Sequence, residues 1–127
     1  GELEAEQIAI ISFKKEVILK AKTSMPHLKA FWLCSFKWNK KTGEVMPSGA
    51  EVMKSLGAVK ANGLSCGDHD SLTEGFLKRV RSNGYETHCW TVNNPKRAKE
   101  LIAMGMRSIT TDRPALIREG LGLTKAP

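Results

Sequence analysis

Long apolar runs are missing from this sequence. None approaches the roughly 20 residues a membrane-spanning helix needs, so no spanning helix is expected. Cysteine is scarce. Cys34, Cys66 and Cys89 are odd in number and widely spaced, unlike a disulfide framework or a zinc site, which wants close pairs. They read as small buried hydrophobes. Aromatic residues make up only 6%, and acidic residues are outnumbered 13 to 20 by lysine and arginine, leaving a net charge of +7. Such a surface suits phosphates, nucleic acid or anionic lipid. The basic residues are scattered, however, with no aromatic-studded basic stripe, so no nucleic-acid partner is expected. There is no Gly-x-Gly-x-x-Gly and no Walker-type loop, which weakens the nucleotide-binding readings. Residues Gly1 to Gln7 are acidic and polar, unlike the start of a secretion signal.

The 127 residues suffice for one domain with a core, and 41% hydrophobic with 26% charged residues is the composition of a folded globular protein. Ile8 to Phe13 is a short β-branched apolar run, read as a strand buried on both faces. Lys14 to Ser24 clusters its apolar residues as a helix does, and Met25-Pro26 stops it. Leu28 to Phe36 reads as a second strand. Lys37 to Ser48 is polar, with a turn signal at Thr42-Gly43-Glu44. Ala50 to Leu56 is a short helix that Gly57 is placed to end, and Ala61 to Cys66 is a weak third strand.

Ser71 and Glu74 form a capping box for a helix carrying Leu72, Phe76, Leu77 and Val80. Glu86 to Val92 is a fourth strand. Asn94-Pro95 opens a helix with Pro in its first turn. Met106 to Thr111 is a fifth strand, and Asp112 is placed to cap a last helix through Leu121. Strand and helix alternate about five times, which predicts parallel strands and an α/β fold, either a doubly wound sheet or part of an eight-fold barrel.

Three segments decide between these. They are Ile11-Ser12-Phe13, Trp90-Thr91-Val92-Asn93, and Ile109-Thr110-Thr111-Asp112-Arg113-Pro114, with Gly84 before the second and Met104-Gly105 before the third. Together they resemble the C-terminal half of the glycerophosphodiester phosphodiesterase family, from about Gln7 to Leu121. The resemblance implies a partial (β/α)8 TIM barrel. Residues 1–127 would be the C-terminal part of the barrel domain, about its last five strand-helix units. It also implies an activity: hydrolysis of glycerophosphodiesters to glycerol 3-phosphate and an alcohol, with a divalent cation (calcium or magnesium) and two histidines as acid and base. The family's His-Arg-Gly, Glu-x-Asp, second His and later Glu and Lys are not matched in this sequence. The metal ligands are therefore expected to be missing, and the isolated chain is expected to be inactive.

Barrel enzymes gather function at the C-terminal ends of their strands. That rule selects Ser12, Phe13, Phe36, Lys37, Ser65, Trp90, Asn93, Thr111 and Asp112; four of these, with Lys14 just past the first strand, are the substrate-binding candidates. Trp90 would wall the glycerol end of the substrate, or pack the barrel interior. Phe13 would line the opposite wall, or pack the core. Lys14 and Lys37 would meet phosphate, or be solvated loop lysines. Asp112 would face the site, or only cap the last helix. Cys66-Gly67-Asp68-His69-Asp70 groups two carboxylates and an imidazole, but adjacent residues rarely converge on one ion, and no metal role is assigned. The expected partners are a small glycerophosphodiester and either the remaining half of a barrel or a second copy of this chain. The alternative is a non-catalytic α/β module that binds a phosphorylated ligand or a protein.

Overall fold

The computed structural model describes residues 8–123. Five parallel strands form one sheet in the order β1-β2-β5-β6-β7: β1 Ala9–Ser12, β2 Lys29–Cys34, β5 Gly63–Gly67, β6 Glu86–Trp90 and β7 Ser108–Ile109. Helices connect them: α1 Lys15–Ser24, α2 Gly49–Ala58, α3 Glu74–Ser82 and α4 Pro95–Ala103, with α5 Pro114–Gly120 closing the order. Between β2 and α2 the chain makes a small antiparallel hairpin, β3 Lys37–Trp38 with β4 Val45–Met46.

Successive strand residues point to opposite faces of a sheet. On one face Trp32, Cys34, Leu64, Cys66 and Cys89 join the helix residues Ile18, Val52, Leu56, Leu77, Val80 and Leu101 in one core. The other face carries Ile11, Leu33, Ser65 and Trp90. The helices thus cover one side of the sheet, as in a barrel wall.

The three cysteines are buried side by side, Cys34 paired in register with Cys66 and Cys66 with Cys89. Burial pushes the Cys34 thiol up to about 11. Cys66 is raised too, first by its hydrogen bond with Cys89 and then by burial.

Several local expectations are corrected. β1 is not buried on both faces: Ile10 packs against the core, while Ile11 and Phe13 are each 57% exposed on the uncovered face. The polar stretch after β2 forms the hairpin, because Asn39 closes its turn. Gly57 does not end α2, which runs on to Ala58; the left-handed residue beyond it is Lys60, at φ 57°. The weak third strand is the middle strand of the sheet, buried from Gly63 to Cys66.

The capping box lies at Ser48 and Glu51, at the start of α2. Thr73, not Ser71, caps α3, its side chain accepting from the Phe76 amide. Ser71 is held instead by His69, whose Nδ1 lies 2.7 Å from the serine Oγ and accepts from its amide. Asp112 does not cap α5. That helix starts from Arg113 without a side-chain cap, with Pro114 in its first turn.

Candidate functional site

The five strands of the main sheet run the same way, so their C-terminal ends open on one rim. At that rim the uncovered face holds a cavity of about 350 Å³ lined by Ile11, Phe13, Leu33, Ser65, Trp90 and Thr110. Trp90 ends β6, and its ring lies against Gly67 of the neighbouring strand. A Cβ at Gly67 would stand 3.2 Å from the indole Cη2 and Cζ3, tighter than ordinary contact, so the missing side chain lets the ring lie flat. The Phe13 ring meets the indole edge to face, with centroids 6.0 Å apart. The Phe13 carbonyl accepts from Trp32 Nε1 at 3.1 Å, which ties the end of β1 to the sheet. The Trp90 Nε1 is buried and, among the described residues, has no hydrogen-bond partner.

Two polar clamps fix the loops of this rim. Asp68, just after β5, donates its amide to the Trp90 carbonyl at 3.0 Å. Its carboxylate is gripped by Arg97 of α4 through Nε and Nη2 at 2.8–3.1 Å. The same guanidinium reaches the His69 carbonyl at 3.2 Å. This forked geometry is the strong form of a charge-assisted bond. The second clamp is Asn93, whose Oδ1 accepts from Thr111 Oγ1 at 2.8 Å and from the Asp112 amide at 2.9 Å. It joins the loop after β6 to the loop after β7.

The opposite end of the same face is polar. Glu86 accepts from Lys29 Nζ at 2.6 Å, and its other oxygen lies 3.1 Å from both His88 Nε2 and Arg107 Nε. His88 Nδ1 is 2.5 Å from Ser108 Oγ, and the imidazole packs edge-on against Phe31. Burial pushes the Glu86 carboxyl up, but bonds from Lys29 and His88 and the charges of Lys29 and Arg107 outweigh it and hold it below the ordinary value. A carboxylate shared among these groups is not a free base. This cluster sits at the N-terminal ends of the strands, the end associated with stability in barrels.

Of the five residues picked from sequence, Phe13 and Trp90 come together in the cavity, and they touch rather than face each other across it. Lys14, Lys37 and Asp112 do not line it. Lys14 precedes α1, with its amide donated to Ser12 Oγ. Lys37 lies on β3, beside Trp38 and Lys40. Asp112 is placed by its amide bond to Asn93. Sequence reasoning finds Phe13, Ser65 and Trp90 but misses Ile11, Leu33 and Thr110 as lining residues. The two-residue period of a strand carried the signal, since it puts Leu33 on the face of Ile11 and Thr110, not Thr111, on the face of Trp90.

A profile of the glycerophosphoryl diester phosphodiesterase family matches residues 2–116. The chain belongs to that family. YhdW of Bacillus subtilis, a candidate glycerophosphodiester phosphodiesterase by name, is 41% identical over 49 residues, covering 39% of this chain and 20% of its own length. A phosphodiesterase of Oleispira antarctica, solved in complex with the product sn-glycerol-3-phosphate, superposes at a TM-score of 0.72. It is 18% identical, and the match covers 90% of this chain and 41% of that one. A glycerophosphodiester phosphodiesterase of Parabacteroides distasonis superposes at 0.60 with 24% identity, covering 88% of this chain and 42% of that one. The chain thus spans about two fifths of the length of these two structures and a fifth of YhdW.

The divalent cation expected for the family does not fit the residues of this rim. Among the described residues, no group of three or more His, Cys, Asp or Glu side chains is placed to hold a metal ion. The cavity wall is mostly apolar, and the nearby Asp68 carboxylate is occupied by Arg97.

Proposed function

We propose that this chain supplies part of the substrate-binding wall of a metal-dependent phosphodiesterase that cleaves glycerophosphodiesters to glycerol 3-phosphate and an alcohol. Trp90 carries the reading. It stands at the C-terminal end of a barrel strand, where barrel enzymes place their sites. Its indole and Phe13 offer an apolar surface to the carbons of a glycerol unit. The Ser65 and Thr110 hydroxyls border the same cavity. The product in the Oleispira antarctica enzyme supports a ligand of this chemistry. The cation and the acid-base pair would come from outside the described residues, so this chain alone binds without turning over.

The test pairs a rate with a binding measurement. The chain, with calcium or magnesium, should hydrolyse glycerophosphocholine no faster than buffer does. The Trp90 indole NMR resonance should nonetheless move on addition of sn-glycerol 3-phosphate, and Trp90→Ala should abolish that binding. Metal-dependent turnover lost in Trp90→Ala would place a whole active site in this chain and overturn the division of labour. Titration that leaves the Trp90 resonance unmoved would overturn the wall itself.

A second reading is favoured by the poor fit to a metal. The same wall would serve a non-catalytic module that binds a phosphorylated ligand. Binding that persists without turnover when the rest of a barrel is supplied would select it.

A further inference from the structure

We propose that the β3–β4 hairpin is a docking surface for anionic lipid bilayers. Trp38 rests one side on His69, with ring centroids 5.0 Å apart, yet remains 50% exposed. Met46 pairs in register with Lys37 and is also exposed. Lys37, Lys40 and Lys41 are exposed around them, and together with Asn39 these residues border an open cleft of about 490 Å³. Glu44 is the single acidic residue between Lys37 and Met46.

Hydrogen bonds tie the turn of the hairpin together. Asn39 Oδ1 accepts from the Lys41 and Thr42 amides at 2.8 and 3.2 Å, and the Asn39 amide donates to the Glu44 carbonyl at 2.7 Å. An exposed indole and thioether ringed by ammonium groups match the layering of a bilayer surface. The rings and sulfur suit the acyl boundary, and the lysine stems reach back to phosphates and carboxylates. One aromatic platform is too little for single-stranded nucleic acid, which stacks successive bases on several. The hairpin leaves the C-terminal end of β2, so docking would turn the Trp90 rim toward the membrane. The docking surface stands on the hairpin alone and does not depend on catalysis.

Co-sedimentation of the chain with vesicles tests it. Vesicles of equimolar phosphatidylserine and phosphatidylcholine should pull the protein down, and phosphatidylcholine alone should not. Lys40→Gln combined with Lys41→Gln should weaken binding by on the order of thirtyfold, and Trp38→Ala should weaken it as well. Lys78→Gln with Lys99→Gln removes the same charge from α3 and α4 and should change binding far less. Equal binding to both vesicle types overturns the proposal. So does equal weakening by the two lysine pairs, or no loss in either hairpin variant. Tighter binding to single-stranded RNA than to the anionic vesicles would reassign the surface to nucleic acid.

Discussion

Phe13 and Trp90 touch although their strands are not neighbours. Phe13 follows β1 and Trp90 ends β6, and β2 and β5 lie between. Three strand spacings amount to roughly 14 Å, yet the ring centroids are 6.0 Å apart. The two side chains lean together over the uncovered face, as the side chains of a barrel interior do. That face is apolar at one end, polar at the other, and open.

Gly63 is the most tightly constrained glycine of the sheet. A Cβ there would lie 2.3 Å from the Glu86 carbonyl oxygen, which is backbone and cannot swing away. Gly63→Ala should lower unfolding free energy by about 3 kcal/mol, the upper end of what overpacking costs. Gly75, in the first turn of α3, has nothing within 4 Å of such a Cβ. Gly75→Ala should be neutral or stabilise by up to about 1 kcal/mol. Urea unfolding of both variants checks the contrast.

Glu86 sets an acid limit. Its folded value lies below the ordinary 4.5 because Lys29, His88 and Arg107 outweigh the effect of burial. A depressed carboxyl stabilises the fold at pH above its unfolded value, and the stability is lost as pH falls through the folded one. Melting temperature should therefore drop as pH goes from about 5 toward 3. Glu86→Gln should melt lower at neutral pH and show a shallower acid loss. A variant whose acid loss is as steep as that of the parent would refute the role of this carboxylate.

The cysteines should be inert while the protein is folded. All three are buried, and Cys34 and Cys66 are raised above the ordinary thiol range. The thiolate is the reactive form. Ellman's reagent at pH 8 should label none of them in the native protein within minutes, and all three in urea. Rapid native labelling of Cys34 would mean that the core on the helix side opens readily.

The strand-helix alternation made the parallel sheet legible, and the Trp90 and Asp112 motifs made the family legible. Local capping was harder. Ser71-x-x-Glu74 has the spacing of a capping box, but His69 stands two residues before Ser71 and takes its hydroxyl and its amide. Asp112 looked like a cap because its type suits that position, whereas Asn93 holds its amide from another loop. His69 is a neighbour whose competition a capping-box spacing does not include, and Asn93 lies 19 residues from Asp112, which spacing cannot show. Lys14 and Lys37 lie at or just past strand ends in the sequence pattern. That placement finds the rim, but only the turn of the backbone decides which rim residues line the cavity.

Light scattering coupled to size-exclusion chromatography tests the open face most directly. Ile11, Phe13 and Trp90 line an uncovered apolar surface, and β1 and β7 are the outer strands of the sheet. Exposed apolar faces and unpaired strand edges recruit partners. The chain alone should therefore elute with a mass above 14.0 kDa, and Phe13→Ser with Trp90→Ser should shift it toward the monomer. A clean 14.0 kDa monomer with a sharp, cooperative thermal transition would contradict the account.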